Sequence, residues 1–311
     1  MNGSASLKLK MFVAGALTIM AEAFVVYFIA SFFNFPIYLA FIFLALFWLF
    51  QWLIAPYAIG RNSVEVKEGD IEYGWLYNMV RDIARESRTQ VPRVYISNEP
   101  FPNAFAFGNF ITGKRIAITR PLLEILNDDE LMAVIGHEVG HIKHLDVEIG
   151  TALGLIPAVL GFISNLLLNL GWAFLIFAGS EADLIAGLIM LSIGGVIFII
   201  TFILQIFVLW LNRLRESFAD LHSITLFKEK AINLATALAK IQVYMQNVSI
   251  DPFRGIVVTL PPMKIKEKNP NELLERWLNE KVSPLSDILM THPHPAKRIQ
   301  AIFKSVKQYE L

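Results

Sequence analysis

Two histidines four residues apart flank a glutamate in the segment His137-Glu138-Val139-Gly140-His141. On a helix, positions i and i+4 lie one above the other on the same face, so both imidazoles can place a ring nitrogen on one zinc ion. The glutamate beside them is suited to act as general base on a metal-bound water. A catalytic zinc keeps one position open for that water and therefore needs a third protein ligand. The chain has no cysteine, which excludes thiolate ligands, cysteine nucleophiles and disulfide frameworks.

The element that must carry this segment has a strong start signal. Asn127 followed by Asp128, Asp129 and Glu130 supplies an N-cap, an acidic first turn and a carboxylate at the third helical position. The helix should run through Leu131, Val134, Ile135 and His141. Upstream, Gly74 to Arg88 has helical periodicity in Trp75, Leu76, Met79, Val80 and Ile83. Val94 to Ile96 reads as a short strand, Asn103 to Ile111 as an extended apolar run, and Arg115 to Thr119 as another strand after a Gly113-Lys114 turn. Residues 65–72 are charge-rich and read as a connection. The C-terminal part, 213–311, reads as mainly helical, with a Pro- and Lys-rich linker at 261–270.

The rest of the chain is too apolar for an ordinary soluble domain: of 311 residues 55% are hydrophobic and only 17% charged. Its 27 basic and 27 acidic side chains leave no net excess to hold a nucleic-acid backbone, so nucleic acid is not an expected partner. The only charge between Lys10 and Arg61 is Glu22, and there is none between Glu148 and Glu181 or between Asp183 and Arg213. Such windows exceed the roughly 20 residues that cross a bilayer. Spans are expected near 11–33, 37–57, 149–176 and 184–211, with breaks at Asn34-Phe35-Pro36 and Gly179-Ser180-Glu181-Ala182-Asp183. Glu22, midway along a span, is expected either to face the bundle interior and pair with Asn165 or Asn169, or to sit protonated.

Four spans put both termini and the segment 61–148 on the same side. Two Lys or Arg precede the first span, ten lie in 61–148 and fifteen in 213–311, with none in either short turn. The positive-inside rule makes that side cytoplasmic, in a multi-pass protein of the plasma membrane. The chain therefore divides into an N-terminal transmembrane hairpin (1–60), a cytoplasmic catalytic segment with the metal-binding helix (61–148), a second transmembrane hairpin (149–212) and a cytoplasmic C-terminal catalytic segment (213–311).

This topology selects the third ligand. Glu148, read as continuing the histidine helix, lies about 10 Å past His141 at 1.5 Å per residue, beyond reach of the same ion. Glu181 and Asp183 belong to the far side. Glu216 stands just beyond the fourth span, on the side from which the third departs, and is the expected ligand. Asp220, at i+4 from it, could orient a zinc-bound imidazole. Arg213 and Arg215 read as marking the membrane boundary, and His144 and His222 as structural or exposed.

Three blocks together resemble the HtpX-type membrane zinc endopeptidases, relatives of the CAAX prenyl endopeptidases. They are His137-Glu138-Val139-Gly140-His141 through Asp146; Arg215-Glu216-Ser217-Phe218-Ala219-Asp220; and His292-Pro293-His294-Pro295-Ala296-Lys297-Arg298-Ile299. The resemblance extends over most of the chain, including the number of spans. It implies an α-helical integral membrane protein of four transmembrane helices with a mainly α, small-sheet gluzincin catalytic domain. One zinc per chain would be held by His137, His141 and Glu216, with Glu138 as base and proton shuttle. The family's late histidine, which helps bind the substrate carbonyl or stabilise the oxyanion, matches His292. The family usually has Pro-Pro after it, whereas Pro293 is followed here by His294, which leaves His294 as an alternative. The run Asn103-Ala104-Phe105-Ala106 resembles the edge strand that pairs with the substrate backbone.

The expected activity is zinc-dependent cleavage of misfolded or damaged membrane proteins at the cytoplasmic face, with protein substrates and the lipid bilayer as partners. One alternative is processing of a specific substrate such as a prenylated C-terminus, which the span count disfavours because the prenyl endopeptidases carry more spans. Another is a non-catalytic membrane chaperone or scaffold, against which both histidines, the base and a third ligand are intact.

Overall fold

Asn34, with a φ of 54°, turns the chain between two long apolar helices, α1 (Asn2–Phe32) and α2 (Ile37–Ile59). Asparagine is among the few residues that take this left-handed conformation at low cost. The computed structural model describes residues 2–32, 34–246, 248, 263, 265–283 and 285–309, so part of the expected 261–270 linker lies outside the described residues. After α2 come β1 (Ser63–Val66), α3 (Gly74–Glu86), β2 (Arg93–Ser97), β3 (Ala104–Asn109), β4 (Gly113–Thr119), the short α4 (Arg120–Ile125) and α5 (Asp128–Lys143). The remaining helices are α6 (Asp146–Ile176), α7 (Glu181–Phe227), α8 (Ile232–Met245), α9 (Pro270–Asn279) and α10 (Pro295–Tyr309).

The strands form one mixed sheet in the order β1-β2-β4-β3. β1 runs antiparallel to β2, β2 parallel to β4, and β3 antiparallel to β4. Strand β1 falls on residues whose charge suggested a connection. Only Val66 of its four residues is buried, so the alternation that marks a half-buried strand is missing, and its pairing with β2 is what makes it a strand. β3 is the other edge of the sheet.

The chain folds as two compact units. One comprises 1–8, 49–148 and 212–311, and its core joins Leu76 and Val80 of α3, Ile116 and Ile118 of β4, Leu131 and Ile135 of α5, and Leu238 and Trp277 from α8 and α9. The other comprises 9–48 and 149–211, with its large side chains mostly exposed, as expected of a surface solvated by lipid. Among the described residues four helical runs are long and apolar enough to cross a membrane: Ala5–Ser31, Ile37–Asn62, Asp146–Ile176 and Glu181–Met245. The last, at 65 residues, is far longer than the roughly 20 a bilayer requires; after Glu181 and Asp183 in its first turn it carries no charge until Arg213. In the second unit Glu22 is 4% exposed and its Oε1 has no hydrogen-bond partner among the described residues. Its expected neighbours Asn165 and Asn169 lie exposed and bond to each other, Asn169 Nδ2 donating to the Asn165 carbonyl at 2.9 Å.

Candidate metal centre

α5 is fixed at its start by a reciprocal cap. The Asn127 side chain accepts the Glu130 amide and Glu130 Oε2 accepts the Asn127 amide, both at 2.9 Å. One face, with Leu131, Val134, Ile135 and Val139, enters the core. The face with the histidines meets α7, and Gly140 permits the approach. A Cβ there would stand 3.1 Å from His222 Cβ and 3.3 Å from Ala219 Cα. The helix ends where Lys114 Nζ takes the Ile142 carbonyl at 2.7 Å and Leu145 adopts a φ of 59°. Glu148 consequently does not continue the histidine helix: it belongs to α6 and lies 3.9 Å from Lys114.

His137, His141 and Glu216 converge. Their Nε2 atoms are 3.1 Å apart, and the Glu216 oxygens lie 3.5 Å from His137 Nε2 and 3.4 Å from His141 Nε2. The opposite ring nitrogens face carboxylates: His137 Nδ1 is 2.9 Å from Asp220 Oδ1, and His141 Nδ1 is 2.7 Å from Asp146 Oδ2. An ionised carboxylate only accepts, so each Nδ1 carries the proton and each Nε2 presents a lone pair. Two lone pairs and a carboxylate then point at one another in a buried place, which is unfavourable unless a cation lies among them. The three residues thus fit a metal ion, with one ligand atom from each and all of these atoms within 4.8 Å of one another. The electrostatics agree: burial disfavours charge on His141, yet Asp146 and Glu216 outweigh it and raise the imidazole well above its ordinary value.

Each carboxylate behind a histidine is itself held by an arginine. Arg298 donates from Nε and Nη2 to Asp220 at 2.9 and 2.8 Å, and its Nη1 lies 3.6 Å from Glu216. Arg215 Nε lies 3.2 Å from Asp146 Oδ1, its Nη2 donates to the Asp146 carbonyl, and its Nη1 donates to Asn212. Arg215 therefore serves the site, whereas Arg213 caps the carbonyls of Ile288 and Met290 at 3.0 and 3.2 Å.

Glu138 is buried beside this cluster, and its Oε2 accepts the Ala106 amide at 2.9 Å. Burial pushes its carboxyl above the ordinary range, opposed by the two histidines. His292 is brought to the cluster, with Nδ1 3.2 Å from Glu216 Oε2. His294 is not: its amide donates to Asp287 and its Nδ1 accepts the Ala296 amide at 3.2 Å, at the start of α10. Asn103 precedes β3 with its backbone turned to β4, its amide on Thr119 Oγ1 at 2.8 Å and its carbonyl accepting the Thr119 amide. By strand alternation the amides of Ala104 and Ala106 point the other way, toward the outer edge. His144 and His222 lie apart from the three donors. His222 Nε2 is 3.0 Å from Ser87 Oγ, and the His144 ring packs 4.2 Å from that of Phe218.

Asp146, Arg215, Arg298 and Gly140 stand in the motif blocks, but sequence reasoning gave them no part in the site. The test that selected Asp220 for one histidine, a nearby carboxylate able to fix the tautomer, would have found Asp146 for the other.

Residues 70–306 match peptidase family M48. The chain is 60% identical over 305 residues to protease HtpX homolog 1 of Sulfolobus acidocaldarius, covering 97% of this chain and 98% of that one. It is 59% identical over 302 residues to protease HtpX homolog 1 of Sulfurisphaera tokodaii, covering 97% of each. Among solved structures, the crystal structure of S. mikatae Ste24p shares the fold, with a TM-score of 0.54 at 16% identity over 94% of this chain and 67% of that chain.

Proposed function

Because the chain belongs to peptidase family M48 and is a multi-pass membrane metalloprotease, we propose that it is a zinc-dependent endopeptidase whose site is built on His137, His141, Glu216 and Glu138. The observation that carries this reading is the convergence of two imidazole lone pairs and a carboxylate beside a buried glutamate. Two nitrogens and one carboxylate oxygen are a donor set that suits catalytic zinc. When bound, zinc lowers the pKa of a water and polarises the scissile carbonyl.

The chain's own groups do the rest. Glu138 takes the proton of the attacking water and returns it to the leaving amine. Burial, by raising its proton affinity, suits the first of these transfers. Its bond to the Ala106 amide ties the proton carrier to the outer edge of β3. An extended substrate adding to that edge, entering along Asn103 and Ala104, would lie with its backbone against Glu138. His292 supplies a donor for charge developing on the carbonyl oxygen, and Asp220 and Asp146 keep both imidazoles turned inward.

Main-chain pairing does not read side chains, which favours misfolded or damaged membrane proteins over a single sequence as substrates. With every Lys and Arg outside the two short turns, the catalytic segments and both termini face the cytoplasm at the plasma membrane. The test is purified full-length protein in lipid vesicles, compared with Glu138→Gln for zinc content and cleavage of casein or a membrane protein. Glu138→Gln should keep one zinc per chain and lose cleavage by about 10²–10⁴-fold. Equal cleavage by the two would remove Glu138 from its role. A comparison of cleavage products in the same membranes then separates broad clearance from processing of one substrate.

A further inference from the structure

The hairpin between β3 and β4 ends in the apolar pair Phe110 and Ile111, which are 72% and 62% exposed. A structural device holds them out. Asn109, fully buried, accepts the amides of Ile111 and Thr112 on Oδ1 at 3.0 and 2.7 Å, which sets the turn. Its Nδ2 donates to the Trp52 carbonyl at 2.7 Å, so one side chain fixes the turn and fastens it to α2. The Phe110 and Trp52 rings lie 4.8 Å apart. Arg115 makes a second fastening: it donates to the Pro56 carbonyl at 3.3 Å and the Thr112 carbonyl at 3.2 Å, with its guanidinium 5.1 Å from the Tyr57 ring centroid.

The helix gripped in this way crosses the membrane. A hydrocarbon layer of about 30 Å starting at Ile37 extends about twenty residues at 1.5 Å per residue, to about Pro56. Trp52 falls inside that limit. On the remaining faces of α2 near this level Phe50, Ile54 and Tyr57 are exposed, an apolar and aromatic surface. No charged residue occurs between Glu99 and Lys114, and Lys114 is turned away to the Ile142 carbonyl. The geometry points to the β3–β4 hairpin tip as a membrane-seated element, with Phe110 and Ile111 inserted into the lipid layer beside α2. Its partner is the acyl and headgroup boundary of the bilayer.

Because the chain has no native thiol, single cysteines report cleanly. Phe110→Cys and Ile111→Cys in the full-length protein are spin-labelled after reconstitution in phosphatidylcholine–phosphatidylglycerol vesicles, and accessibility to oxygen and to a water-soluble nickel chelate is read. Phe43→Cys on α2 serves as the lipid reference and Glu275→Cys on α9 as the aqueous one. Both tip labels should give an oxygen-to-nickel ratio several-fold above that of Glu275→Cys and approaching that of Phe43→Cys. A ratio like that of Glu275→Cys would overturn the proposal, and so would shielding from both reagents, which would mark a protein contact. The readout needs no peptidase activity, so it stands or falls apart from the function proposed above.

Discussion

His137 turns its Nδ1 to Asp220 at 2.9 Å while its Nε2 faces Glu216 from the other side of the ring. The same relation recurs at His141 with Asp146, and in both cases an arginine from a later segment holds the carboxylate. The two histidines thus stand in matched relays of acid and arginine, which set the tautomer that a metal ligand needs.

Asp220→Asn and Asp146→Asn should each weaken zinc binding by about 10–100-fold, measured by competition with a chelator. Arg298→Ala leaves Asp220 buried without its cation and should cost about 3–5 kcal/mol of stability. Arg298→Lys should recover only part of this, because an ammonium cannot reproduce the two-point grip on Asp220. Unchanged zinc affinity in both asparagine variants would show that the carboxylates do not orient the rings.

Gly140→Ala pits local preference against packing. Alanine favours a helix interior by about 1 kcal/mol over glycine. The added methyl, however, would meet His222 Cβ and the Ala219 backbone, neither of which is the loose end of a side chain. Overpacking costs about 1–3 kcal/mol, so the melting temperature and zinc affinity should both fall. Gly154→Ala, which meets nothing within 4 Å, is the control. A rise in melting temperature for Gly140→Ala would mean that α5 and α7 have slack.

Burial pulls His144 down to about 4 from the ordinary 6.5. Above pH 6.5 the imidazole is neutral in both folded and unfolded chains and stability does not vary on its account. Between there and about 4 the unfolded chain takes up a proton that the folded chain refuses, so stability is lost as the pH falls through that window. His144→Gln should show a smaller drop in melting temperature between pH 7 and pH 5 than the parent. An identical drop would place the acid sensitivity elsewhere.

Orientation in the membrane can be read from Ala182→Cys, exposed in the first turn of α7. Ser180 is better left intact, since its hydroxyl bonds Asp183. In sealed cells an impermeant thiol reagent should label Ala182→Cys from outside. Labelling only after the membrane is opened would reverse the assigned topology.

The histidine-bearing helix and the long apolar helices were legible because their signals are local. The Asn127 to Glu130 cap, the i, i+4 histidines and the charge-free windows need no knowledge of distant residues. Glu216 was also reachable, since topology alone brings it to the side of the histidines. What escaped depends on tertiary contact. Arg298 meets Asp220 across 78 positions and Arg215 meets Asp146 across 69, with no periodicity linking them. β1 is a strand by virtue of its partner. The break at Leu145, which moved Glu148 to another helix, occurs at a residue that does not favour a positive φ, so no turn residue announced it.

The length of β3 carries a consequence for how a buried substrate would be reached. Ala106, whose amide meets Glu138, is three residues from Asn109 at the hairpin end, about 10 Å at 3.4 Å per residue. With the tip seated in lipid, a chain aligned on this strand would need only a few residues drawn clear of the hydrocarbon before its first bond came opposite the base. Cleavage would then begin at the foot of a transmembrane segment, without prior dislocation of the whole helix into water.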